Sequence, residues 1–388
     1  MIGELESSEA FGILRAAINA RPVHTVRGLH PSTTLEYARN FDQLVASALS
    51  RIVMTGELPA DSLSVKSLST HLGGIGIKDL ARCRNGAWAA SWLKALQYIH
   101  THLKDKIFWM TEDFDFHPEI IYQLPLPHPV GNALSFKDLV LPIVLAEDPI
   151  PRQKDLNATI DTTIYEDLLD TLKLSRPEAA ALLVSASVPG ISSWLNCCTN
   201  PNPSLRLCDD SFRESLRIRM LLPIHEDPVR AQRRCTSCNI HDIEVEYHGL
   251  SCRGPSDHRR RRHDMVVSAL CDFIRAAVPS ARVHKEVDIE ANTRTSGGPV
   301  SLRCDIKMTV NHSTHYLDVA ITNPCGPTFL KLNRKWEPAF AAAYLENKKI
   351  DKYSKRHGES VGKALIPFGI ECTGRLGPHA TEFVEKLS

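Results

Sequence analysis

No excess of one charge sign marks this chain. Its 388 residues carry 46 Lys and Arg against 45 Asp and Glu, a formal net charge of +1, so it is not a wholly basic protein. No stretch approaches the ~20 consecutive apolar residues that a membrane span requires. Residues Met1 to Ala10 include three glutamates and no basic segment followed by an apolar run, so nothing there reads as a signal peptide. The eleven cysteines are not evenly spaced as in a secreted disulfide framework. A reducing, intracellular setting is therefore expected, where paired cysteines mean metal more often than disulfide. The glycine-rich run from His71 to Ile77 lacks the lysine and Ser/Thr of a phosphate-binding loop, and a tight turn between packed elements is the expectation.

What is present is a chain with 43% hydrophobic residues, enough for two or three cores. Apolar residues at helical spacing predict amphipathic helices over Thr34–Met54, Leu80–Leu103, Asp161–Leu174, Pro177–Val188 and Asp209–Met220. In the last of these, Arg213, Arg217 and Arg219 read as a solvated face or a nucleic-acid contact. Residues Pro118–Pro151 are proline-rich and aperiodic, which suits a connector with one short apolar element near Leu139–Leu145. After Cys252 the texture changes. A core-facing helical stripe over Arg262–Val278 precedes alternating segments at Val283–Ile289, Leu302–Val310 and Tyr316–Thr322. A long helix from Lys331 to about Lys355 and a strand over Ala364–Cys372 follow. The expected class is α+β: a helical N-terminal half, a knuckle, and a C-terminal α/β domain with a small mixed sheet.

Three constellations carry chemistry. Cys235, Cys238, His248 and Cys252 form C-x2-C-x9-H-x3-C, the four soft ligands of a closed, structural zinc site, with His241, His258 and His263 also within reach. Eight arginines fall between Arg230 and Arg262 against four acidic residues. Of these, Arg253 and Arg259, Arg260, Arg261 and Arg262, followed by His263, sit at a helix N-terminus, where the dipole disfavours positive charge and an anionic partner such as a nucleic-acid backbone would compensate. Third, Asp305 and Asp318 have twelve residues between them, around a plausible hairpin turn at Asn311 to Thr314. A loop centred there pairs Asp305 with Ala320 and Asp318 with Lys307, making the two acids diagonal neighbours roughly 6–8 Å apart on one face. That spacing suits a hard divalent cation such as magnesium, with Glu286 as a third acid. Lys349, Lys352 and Tyr353 share a helix face and place an ammonium near the acids. Each motif has a plainer reading: buried reduced cysteines, a solvated basic surface or import signal, and solvent-facing charges.

Taken together, His248 to Cys252, Arg262-His263-Asp264, Arg303-Cys304-Asp305, Leu317-Asp318-Val319-Ala320, Lys349-x-x-Lys352-Tyr353 and Pro367-Phe368-Gly369 resemble the C-terminus of non-LTR retrotransposon reverse transcriptases that carry a restriction-like endonuclease. The resemblance covers about Cys235 to Leu387 and, more weakly, upstream segments that follow a polymerase palm. It implies a PD-(D/E)xK-type fold, a CCHC knuckle and metal-dependent DNA cutting. Asp305 and Asp318, with Glu286, would hold magnesium. Lys349, with Lys352 in reserve, would replace the lysine absent at Ala320, and Tyr353 would support the site. Cys304 stands where the family has proline. The implied partners are DNA, element RNA as a second candidate, and a separately encoded polymerase part; the implied location is nuclear, with no membrane. No Tyr-x-Asp-Asp signature is present, so the chain is expected to be a fragment or decayed copy of a longer element. The expected domains are 1–115 (post-palm helical region), 116–229 (helical connector), 230–262 (knuckle and basic segment) and 263–388 (endonuclease domain).

Overall fold

The computed structural model of the chain describes residues 5–102, 152–223, 238, 247–250, 252, 254, 257–289, 294–295, 298–299, 302–332 and 336–387. The connector expected over Pro118–Pro151, Cys235, His241 and Arg253 lie outside them. The chain folds into two compact units, one of residues 1–170 with 192–222 and the other of residues 171–191 with 223–388. No helix among the described residues is long and apolar enough to cross a membrane.

The first unit is helical. Helices α1 (Ser7–Ile13), α2 (Val23–Gly28), α3 (Pro31–Ile52), α4 (Ala60–Ser67) and α5 (Leu80–His102) precede α6 (Gln153–Ser175), whose last turn belongs to the second unit. After α7 (Pro177–Ala186), also of the second unit, α8 (Asp209–Arg219) returns to the first. The stripe of α3 buries Ala38, Val45 and Leu49, but Leu44, on the edge of that stripe, is 70% exposed. The core joins Phe11, Leu14, Val45, Leu49, Ile75, Ile77, Phe212, Leu216 and Met220.

The glycine-rich turn packs against the end of α4. A Cβ at Gly74 would collide with the Leu68 carbonyl, and Gly76 sits at φ 74°, so only glycine fits both needs. The N–H groups of Gly74, Ile75, Gly76 and Ile77 donate to the carbonyls of Ser69, Val65, Leu68 and Lys66 at 3.0–3.3 Å, leaving none to cradle a phosphate. The solvated arginine face expected on α8 is corrected here: Arg217 and Arg219 are buried. Arg219 donates to the carbonyls of Thr70 and Gly74 and to Ser192 Oγ, and Arg217 to the Val53 carbonyl. The turn's carbonyls need donors once buried, and a guanidinium supplies several at once.

The second unit is built on a four-stranded mixed sheet. Helix α9 (Asp257–Ala277) leads into β1 (Arg282–Ile289); a two-residue ribbon, β2 (Arg294–Thr295) and β3 (Gly298–Pro299), precedes β4 (Leu302–Val310) and β5 (Ser313–Thr322). Then come α10 (Pro327–Leu330), α11 (Phe340–Ala364), β6 (Leu365–Glu371) and α12 (Pro378–Leu387). The sheet order is β1-β4-β5-β6, antiparallel except for the parallel β5/β6 pair that the α11 crossover permits. The helix expected from Lys331 instead starts at Phe340, because Pro338 disfavours helix in the residue before it and Ala339 adopts φ 60°.

Two apolar layers cover the sheet. Val267, Leu270, Cys271 and Ile274 of α9 and Ala380 and Phe383 of α12 pack with Ile306, Met308, Leu317 and Val319. Tyr353 of α11 packs with Ile289, Cys304 and Leu365, joined by Val287 and Tyr316. Neighbours Tyr316 and Leu317 belong to different layers, as alternation demands. Cys304 and Ile306, two apart on β4, also belong to different layers, which a regular strand forbids. The pleat therefore inverts at Asp305, beside Glu286 on β1 with its φ of 53°.

Candidate active site

The hairpin between β4 and β5 sets the acids. Asn311 and His312 both take positive φ, 46° and 67°, so the turn is two residues long and Val310 pairs with Ser313. The sequence-based register, which paired Asp305 with Ala320, is thereby corrected. Ile306 pairs with Leu317, where the ladder ends, so Asp305 and Asp318 are the next residues of the two strands beyond the last pair.

Asp305 stands where the pleat inverts, and its carboxylate replaces the missing ladder acceptor: Val319 N–H donates to Oδ2 at 2.6 Å. His263 Nε2, from the second turn of α9, lies 3.2 Å from the same oxygen, and its Nδ1 lies 3.4 Å from Asp264 Oδ1. Asp318 is buried and accepts from Lys349 Nζ of α11 at 2.6 Å. Tyr353, one turn on, is fully buried; its hydroxyl donates to the Arg303 carbonyl at 3.2 Å and also interacts with Asp318.

The environment splits the pair. Burial pushes the Asp305 carboxyl up, but His263, the Val319 N–H and Asp318 outweigh it and hold it below the usual carboxylate range. At Asp318 burial prevails over the Lys349 ammonium and the carboxyl stays above that range. The hydrogen bond to Asp305, working against burial, lifts His263 to about 9. Tyr353 is pushed well up by burial and by Asp318, so its phenol stays protonated. Burial also raises the Cys304 thiol to about 11, which makes it an inert packing group.

Not every candidate joins this cluster. Glu286 is exposed and pairs with Arg303 instead of turning to the acids. Lys352 is exposed, its Nζ 5.4 Å from the centre of the Tyr353 ring, so Lys349 is the lysine at the acid pair. Arg259, Arg260 and Arg261 are exposed on the first turns of α9, which begins at Asp257, so the basic run lies within the helix. Arg262 is partly buried and donates to the Leu250 carbonyl at 3.3 Å. Of the cysteine and histidine quartet, Cys238 and Cys252 are described, with Gly254 N–H donating to Cys252 Sγ at 3.4 Å; His248 lies in a short turn, His248–Leu250, and its side chain and all of Cys235 lie outside the described residues. Among the described residues no group of three or more His, Cys, Asp or Glu side chains is arranged to hold a metal ion.

Two glutamates that the sequence reading passed over frame the site. Glu346, on α11 one turn before Lys349, is 1% exposed; its Oε1 accepts from Gly369 and Ala380 N–H and its Oε2 from His379 N–H, at 3.0–3.1 Å. It caps α12 and ties α11 to β6 at one point. Glu371 accepts from Ser185 Oγ and, at 3.4 Å, from Ala342 N–H, capping α11 where Ala339 offers no side chain. Comparison with protein-family models and with curated proteins finds no match for the chain.

Proposed function

We propose that the second unit is a metal-dependent endonuclease that nicks DNA, of the restriction-like class carried by non-LTR retrotransposons. The observation that carries the reading is the meeting of Asp305 and Asp318, from adjacent strands, with the Lys349 ammonium from the following helix. Two carboxylates suit magnesium, which keeps several waters and otherwise takes oxygens from substrate phosphates. Asp305 and Asp318 would hold it. When bound, magnesium polarises the scissile phosphate.

The chain's own residues supply the rest. Lys349 orients the attacking water and offsets the charge that gathers on the phosphoryl oxygens. The water oxygen bonds to phosphorus while the bond to the leaving sugar oxygen breaks; the water gives up a proton to solvent and the leaving oxygen takes one from solvent, leaving a hydroxyl on one strand end and a phosphate on the other. Tyr353 fixes the strand before Asp305 through the Arg303 carbonyl. The row Arg259 to Arg261, with Arg253, would grip the DNA backbone and set register, adding affinity more than sequence choice. A structural zinc on Cys235, Cys238, His248 and Cys252 would hold the knuckle beside that row; the Gly254 N–H bond to Cys252 is of the kind that supports a ligating sulfur. Nuclear DNA is the proposed substrate, element RNA a second partner, and the copying of RNA the task of a separate polymerase part.

The test is nicking of supercoiled plasmid by the full chain with magnesium. Asp305→Ala should fall to background and Lys349→Met by about 10²–10³-fold. Equal nicking by wild type and Asp305→Ala would end the catalytic reading. A chain that never nicks but binds duplex with an affinity untouched by Asp318→Asn would be a nucleic-acid-binding protein with a decayed cleft.

A further inference from the structure

We infer that His263 belongs to the cleavage site as the residue that positions Asp305, and not to the arginine row that grips the backbone. This rests on the nuclease reading above and assigns that site a further member. Residues His263, Val267, Leu270 and Ile274 recur at helical spacing along α9, and the last three are buried against the sheet. His263 is thus the polar end of the core-facing stripe, whereas Arg259, Arg260 and Arg261 are exposed.

The inverted pleat explains why Asp305 needs such a partner. A carboxylate on a regular strand is aimed by the pleat; Asp305 sits where alternation fails, so side-chain contacts must aim it. Oδ2 is engaged twice, by the Val319 N–H at 2.6 Å and by His263 Nε2 at 3.2 Å. Those contacts fix the carboxylate plane and leave Oδ1 for the ion. The Asp264 carboxylate, 3.4 Å from Nδ1, orients the ring in turn. The His263 side chain is one-third exposed, unlike the buried Val267, Leu270 and Ile274 of the same stripe.

The experiment compares full-length wild type, His263→Ala, His263→Gln and Asp305→Ala by calorimetric titration with Mn2+, by metal-free duplex binding and by plasmid nicking. Loss of a residue that orients a metal ligand lowers metal affinity or activity about 10–100-fold, and this is the expected result for His263→Ala. It should remain folded, with metal-free duplex affinity at the wild-type level, and the side-chain amide of His263→Gln should restore much of the loss by donating to Asp305. Normal Mn2+ affinity and nicking in His263→Ala, with weakened duplex binding, would return His263 to the arginine row and leave the nuclease reading intact. A wild type that neither binds Mn2+ nor nicks DNA would overturn both.

Discussion

A buried carboxylate that keeps its proton more tightly than it would in water leaves a mark on stability, and Glu371 is such a group. Burial raises its pKa above the ordinary 4.5, more than Ser185 and the Ala342 N–H lower it. The folded state therefore binds the proton better than the unfolded chain does. The stabilising contribution is complete below the unfolded value and declines as pH rises through the folded one. Glu371→Gln removes the ionisation while keeping an acceptor for α11. The melting temperature of wild type relative to this variant should fall as pH is raised from about 4 to 8. A difference that stays constant across that range would show that Glu371 does not titrate as its burial requires. The same balance works in opposite directions at Asp305 and Asp318, where equal side chains on neighbouring strands acquire unequal proton affinities from what donates to them.

Two helix starts in the second unit, those of α11 and α12, are capped by acids distant in sequence, and Glu346 is the clearest case. Glu346→Ala would leave the buried N–H groups of Gly369 and Ala380 and the part-buried one of His379 without their acceptor. Each orphaned donor costs about 1–3 kcal/mol, so the variant should lose roughly 3 kcal/mol or more of unfolding free energy in urea titrations. A loss under about 0.5 kcal/mol, the scale of an ordinary surface change, would refute the capping role. Capping by remote residues was invisible in the sequence because nothing local marks it: neither Ala339 nor Gly377 carries a side-chain oxygen that could accept from the helix. Helix α12 went unread for that reason, while α3, α5 and α9 were plain from their stripes. The strands were legible from alternation, but their register was not, since it depends on Asn311 and His312 both taking positive φ. The inverted pleat at Asp305 was equally hidden, and with it the reach of His263 to the acids. What the sequence did convey was the pairing of Lys349 and Tyr353, because a one-turn spacing survives any choice of register.

For the molecule as a whole, a net charge of +1 predicts no general attraction to polyanions, so any affinity for DNA must come from the local row on α9. Each phosphate contact contributes about 0.9 to the slope of log affinity against log salt. Replacing Arg259, Arg260 and Arg261 together by alanine should therefore flatten that slope by up to roughly 2.7 in fluorescence-anisotropy titrations. An unchanged slope would show that the row does not meet the backbone. The order in which the chain visits its two units bears on any attempt to take them apart. Because residues 171–191 belong to one unit and 192–222 to the other, the polypeptide passes between the units three times, after residues 170, 191 and 222. One protease nick cannot liberate either half, and a gene trimmed to begin at residue 230 would express a sheet deprived of Ser185 and the rest of α7. Inheritance follows the same rule: a single recombination breakpoint cannot hand on the acid-bearing sheet with all of its supports unless it carries residues 192–222 of the helical unit along.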